Sequence, residues 1–247
     1  MRSRNPNNSV VWRLIGLGSL FFYGTFAIAD WHAELSLRSE YVYRGYSKNR
    51  GNPVVQADLH YQGETGWFLG TGLSQVSFDD HANPDYAELE VKPYFGWNIP
   101  LITDWRADLS VSGYVYNDKV FSKDVDYAEF SAALHYRDWL SGRVFFAPDA
   151  YQKHVSIPTY ELNLRHDLLD TLQFSAGAGY SEAKALLRQD YFYWNAGFSW
   201  FLTGYVAVDV RYVDVLLEDY PVIGRFQQRF YPRPLENKYL LSLTVGF

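Results

Sequence analysis

Charged side chains recur through this chain with apolar residues between them, most often at every second position. The set is Arg38, Glu40, Arg44, Asp58, His60, Glu88, Glu90, Lys92, Arg106, Asp108, Glu129, Glu161, Arg165, Asp209 and Arg211. If each alternation is a strand, one face of the sheet carries charges of both signs. Such a wall can line a water-filled passage and select solutes by its field. It can equally pair with itself and fill the space. The surplus of acid tilts a passage toward cations, and Tyr94, Tyr114 and Tyr116 on the same faces would narrow it.

Other stretches suggest other chemistry. His154 and Ser156, with Asn163 beyond them, have the residue types of a nucleophile, its base and an orienting group. Outer-membrane lipid hydrolases carry His-x-Ser on an outward strand face, whereas here the pair falls in a loop and lacks their following Asn-Gly. A solvated loop histidine is the simpler reading. Asp79, Asp80 and Asp85 could hold a divalent ion, but they lack the spacing and glycine of a calcium loop. Arg225, Arg229 and Arg233 could meet lipopolysaccharide phosphates or fold into a barrel mouth. There is no phosphate loop, metal-spaced histidine cluster or dinucleotide fingerprint. No enzyme, cofactor or metal site is expected.

The elements that position these residues read as strands. In "HAELSLRSEYVYRG", Ala33, Leu35, Leu37, Tyr41 and Tyr43 oppose Glu34, Ser36, Arg38, Glu40 and Arg44. Period-2 alternation continues through "VVQADLHYQ", "GWFLGTGLSQVSF", "YAELEVKPYFGW", "DWRADLSVSGYVY" and "YAEFSAALHYR". After the less regular "GRVFFAPDAY" it resumes in "TYELNLRHD", "LQFSAGAGY", "YFYWNAGFSWF", "YVAVDVRYVD" and "KYLLSLTVGF". A helix would scatter these charges over every side, so the pattern predicts twelve strands.

The connections sort by length. "YSKNRGN", "DDHANPD", "NDKVFSKDVD", "DAYQKHVSIP", "SEAKALLRQD" and the long stretch 216–237 alternate with "GETG", "NIPLIT", "RDWLS", "LLDT" and "LTG". Short turns at one end and long loops at the other characterise outer-membrane barrels. A secreted β-sandwich would share the alternation but not this sorting. The expected fold is therefore all-β, a single transmembrane antiparallel barrel. Its apolar face meets lipid and its polar face meets the lumen. Eight strands fill with side chains and sixteen leave a channel, so a twelve-stranded interior stays open to both readings.

Residues 1–29 follow a different logic. Arg2, Arg4 and Arg13 precede an uncharged run from Leu14 to Phe26, and "AIA" ends it, as in a secretory signal peptide cleaved before Asp30. The domains expected are that leader and a barrel over 30–247. Three arginines leave with the leader and no acid does, so the net charge moves from −6 to −9. A chain this acidic is no candidate for nucleic acid. Cysteine is absent, which excludes disulfides and thiolate chemistry. Aromatic residues reach 19%, and aromatic girdles at the two membrane interfaces would account for the excess. The location expected is the outer membrane of a Gram-negative bacterium, reached through the Sec pathway.

"YRGYS", "PVVQ" (Pro53 to Gln56) and "GWFLGTGLS" (Gly66 to Ser74) follow an aromatic-rich first strand. Over residues 36–78 the chain resembles the TorF-type porins, the Gcw family of conserved hypothetical proteobacterial proteins. That resemblance implies an outer-membrane barrel and, more loosely, a narrow porin for small hydrophilic solutes. A non-conducting barrel with an envelope-structural or surface-binding role is the alternative. Outward-facing Tyr239, Leu241, Leu243, Val245 and Phe247 would meet acyl chains, and the resemblance implies that such a terminal aromatic is read by the barrel-assembly machinery. The partners expected are outer-membrane lipids and lipopolysaccharide, that machinery, and small solutes.

Overall fold

The computed structural model describes residues 30–78, 87–120, 123–217 and 237–247. The leader, Asp79, Asp80, Asp85, Arg225, Arg229 and Arg233 lie outside the described residues. Twelve antiparallel strands form one closed barrel: β1 (Asp30–Arg38), β4 (Val54–Gln62), β5 (Trp67–Gln75), β6 (Leu89–Pro100), β7 (Trp105–Tyr116), β8 (Tyr127–Tyr136), β9 (Leu140–Ala147), β10 (Ile157–Leu169), β11 (Leu172–Ser181), β12 (Tyr191–Phe201), β13 (Val206–Leu216) and β14 (Lys238–Gly246). Two short strands inside the first long connection, β2 (Val42–Tyr43) and β3 (Tyr46–Ser47), pair with each other alone.

Each strand pairs with its neighbour in the chain, and β14 closes on β1 through Glu34↔Gly246 to Arg38↔Ser242. Closure leaves no backbone edge to hydrogen-bond, the requirement for crossing a bilayer with strands. The short connections 63–66, 101–104, 137–139, 170–171 and 202–205 share one end with Asp30 and Phe247, and the long ones share the other.

Alternation sorts the side chains as expected for two solvents. Leu35, Leu109, Leu162, Val210 and Leu243 are exposed on the outside, while their neighbours in sequence turn inward. Aromatic rings bracket this apolar band. At the short-turn end Trp31, Tyr61 and Trp67 follow one another as tilted rings with centroids 4.9 and 5.0 Å apart, and Trp105, Tyr136 and Trp139 continue the girdle. Toward the other end Trp194, Tyr212 and Tyr239 follow one another at 5.1 and 5.2 Å. Two girdles around an apolar band match the two interfaces of a membrane. A groove of about 540 Å³ between Phe95, Leu109, Phe130 and Phe146 opens on this outer face, so it belongs to the lipid belt and not to the lumen.

Two expectations change. The first strand stops at Arg38, so Tyr41 and Tyr43 are not lipid-facing; both are drawn inside. Glu40 and Arg44 accordingly lie on the connection 39–53 and not on the strand wall, and Glu88 is exposed just ahead of β6. The reason is local. After Ser39 the chain leaves the ladder and folds back as the β2–β3 hairpin, whose turn residues Arg44 and Gly45 have φ of 49° and 80°. Two successive left-handed residues make the primed turn that matches strand twist, and glycine supplies one of them without strain.

Candidate functional site: a hairpin across the bore

The connection 39–53 does not stand out from the barrel mouth; it enters the lumen and touches most of the wall. Its tip, Gly45, sits so close to Val215 of β13 and Tyr193 of β12 that an added Cβ would clash. Beside it Tyr46 packs edge-on against Tyr191, with centroids 4.9 Å apart, and Val42 packs on Val213 and Leu240. On the opposite wall the hairpin is held by charge. Arg44 donates from both terminal nitrogens to Glu129 of β8, at 2.7 and 2.9 Å, and its Nε lies 3.8 Å from Glu161 of β10. The guanidinium stacks 4.0 Å from the ring centroid of Phe145 on β9.

Lys48 makes the second anchor. Its Nζ donates to Glu90 Oε2 of β6 at 2.5 Å and to Tyr116 OH of β7 at 3.1 Å. Tyr43 and Tyr114 present ring faces at 4.3 and 4.9 Å from the ammonium, and Tyr41 OH donates to the other Glu90 oxygen at 2.7 Å. Lys48 is 4% exposed, Glu90 1% and Glu129 4%. Both ion pairs are thus taken out of water, where a pair survives only if the remaining polar atoms find partners. The tyrosine hydroxyls supply those partners here.

Apolar packing seals the same half of the bore. Tyr41, Tyr114, Tyr116 and Tyr127 join Val120, Val125, Ala147, Ala150 and Ile157 in one buried cluster contributed by the hairpin, the wall and the neighbouring long connections. Tyr114 and Tyr127 stack with centroids 4.5 Å apart and planes 7° apart.

The short-turn half is different: its wall is a polar mesh of buried and half-buried groups. Arg211 donates to Asp209, Asn195 and Ser175 at 3.0, 2.6 and 2.8 Å. His135 Nε2 lies 2.7 Å from Asp108, which also faces Arg106 Nε at 3.4 Å. Tyr94 OH joins Asp58 at 2.9 Å and His60 at 3.1 Å. Arg38 donates to Ser36. Lys92 belongs instead to the hairpin's half of the bore, where its ammonium lies 5.3 Å from the centroid of the Tyr114 ring. Arg165 is half-buried on β10.

Of the fifteen positions that alternation selects, the hairpin brings Arg44 to Glu129 and Glu161, and the wall brings together Arg106 with Asp108 and Arg211 with Asp209. It does not assemble a hydrolase. His154 is exposed beside Asp149, 3.6 Å away, Ser156 is exposed in the same connection, and Asn163 lies on β10. Sequence reasoning missed Lys48, which reads as part of a solvated loop, and Arg143, which comes from the irregular β9. The available signal was the density of tyrosine in "EYVYRGYSK": a hairpin with aromatics on both faces needs burial on both.

A model of the Gcw_chp family, described as a bacterial protein of unknown function, matches residues 27–228. The chain belongs to that family. No curated protein matches it. Among solved structures, the barrel of this Gcw_chp member is similar to a KdgM porin, with a TM-score of 0.53 at 9% identity over 87% of this chain and 99% of the porin. It is also similar to an outer membrane channel from Pseudomonas putida F1, with a TM-score of 0.50 at 9% identity over 92% and 98% of the two chains. At such identity the likeness concerns the fold: a closed twelve-stranded barrel of the outer-membrane porin type.

Proposed function

We propose that this chain is an outer-membrane porin of narrow bore for small hydrophilic solutes, and that the 39–53 hairpin is its gate. The observation that carries this is the contrast between the two faces of one wall, apolar and girdled outside, charged in both signs inside. In the short-turn half the inner wall is built of charged and hydrogen-bonding groups, a lining suited to hydrated solutes. In this reading residues 1–29 are removed on export through the Sec pathway, the long connections face the outside of a Gram-negative cell, and lipopolysaccharide and outer-membrane lipids surround the belt. The hairpin occupies the outer half of the bore in the resting form, and solutes cross when it withdraws.

The same hairpin favours a second reading: a barrel that never conducts and serves an envelope-structural or surface-binding role. Planar bilayers separate the two. The folded full-length barrel is expected to give stepwise openings separated by long closed intervals. A barrel that is folded, inserted and silent at every voltage contradicts the porin.

A further inference from the structure

The wall around the hairpin's two cations has the composition of a receptor for organic cations. Glu90, Glu129 and Glu161 project from β6, β8 and β10, and the rings of Tyr114, Tyr116 and Phe145 stand between them. Carboxylates set beside aromatic faces recognise ammonium and guanidinium groups through charge-assisted hydrogen bonds and the ring quadrupole. Such groups are seated here already: an ammonium at Glu90 and a guanidinium at Glu129, both from the chain itself. The shortest donors to both carboxylates, Lys48, Tyr41 and Arg44, all belong to the hairpin. When it withdraws, Glu90 and Glu129 lose those donors at one stroke and turn toward the lumen. Lys92 and Arg143 flank the site, so the exposed belt holds three carboxylates against two fixed cations.

We infer that Glu90 and Glu129, with the rings beside them, form a binding site for primary amines and guanidinium compounds, which Lys48 and Arg44 occupy in cis while the barrel is closed. The inference rests on the porin reading for its purpose: the solutes favoured would be those able to replace the hairpin's own side chains. It does not rest on that reading for its test, because the site can be probed by binding alone.

The probes are n-butylammonium and n-propylguanidinium, which reproduce the ends of Lys48 and Arg44, with propylurea as the neutral control. In the detergent-solubilised full-length double variant Arg44→Met/Lys48→Met, the two cations are expected to bind at least tenfold more tightly than to the native barrel. Saturation-transfer NMR reads that binding. Adding Glu90→Gln and Glu129→Gln should abolish it, while heat-modifiable migration shows that each variant remains a folded barrel. In bilayers the double variant should pass cations over anions and lose current on addition of either organic cation at millimolar concentration, but not of propylurea. Propylurea acting as strongly as the cations, anion selectivity, or block that survives both glutamine substitutions overturns the site. Binding without any conduction would sink the porin and leave the site standing. Conduction without binding would do the reverse.

Discussion

Replacing Arg44 and Lys48 together with methionine should turn a barrel that is mostly closed into one that is mostly open. Each substitution leaves a carboxylate, Glu129 or Glu90, buried without its cation. Breaking a buried pair from one side costs about 3–5 kcal/mol, because the surviving charge cannot return to water in place. In this barrel it can return, provided the hairpin leaves and lets the lumen fill. The penalty therefore falls on the closed form alone. Every 1.4 kcal/mol is about tenfold in a two-state ratio, so a single broken pair shifts closed against open by more than about a hundredfold. Single-channel recording checks this: open probability should rise steeply with little change in the size of each step. An unchanged open probability in a folded double variant would mean that the ion pairs do not hold the gate. Turning the methionine positions back one at a time should restore closure in part, since the two anchors grip different strands.

Deleting Phe247 should have the other large effect, on assembly and not on passage. Phe247 extends the seam between β14 and β1: its N–H donates to the Ala33 carbonyl at 2.8 Å, and its own carbonyl accepts from Ala33 at 3.3 Å. That seam is short, running from Glu34 to Arg38, whereas β1 pairs with β4 over its full length from Asp30 to Arg38. The ring is exposed at the short-turn end, where aromatics sit favourably at a membrane interface. We propose that this residue, with Tyr239, Leu241, Leu243 and Val245 along the same strand, is what the assembly machinery engages. The expected result is a severalfold drop in heat-modifiable barrel in outer-membrane fractions, with normal single-channel steps from the barrels that do insert. Full assembly of the deletion variant would contradict the proposal.

The barrel itself was legible because it stands between two solvents. A strand with lipid on one side and water on the other must alternate, and it did so from Val54 to Gln62 and again from Val206 to Leu216. Loop sorting was legible for the same reason, since the turns at one end need only reverse the chain. The hairpin was not, because Glu40, Tyr41, Tyr43 and Arg44 keep in step with the alternation of β1 while the chain leaves its plane. Ser39 on the apolar face and Val42 on the polar one depart from the pattern, but one exception on each face, like a turn at Arg44-Gly45, is compatible with a longer first strand. Arg143 escaped because its neighbour Phe145 also faces inward, against Arg44, so β9 shows no polar face. The pairing of Lys48 with Glu90 depends on how far a closed bore lets one wall reach the other. That distance is set by strand number and tilt, and no local pattern encodes it.

The gate can be tested by fixing it in place. Val42 of the hairpin packs on Val213 of β13, and the chain has no cysteine of its own, so Val42→Cys/Val213→Cys introduces a single possible disulfide. Recorded in a planar bilayer, this variant should be silent when oxidised and should begin stepwise conduction when a reductant is added to the chamber. Equal conduction before and after reduction, with the cross-link shown to be formed, would contradict the account at its centre.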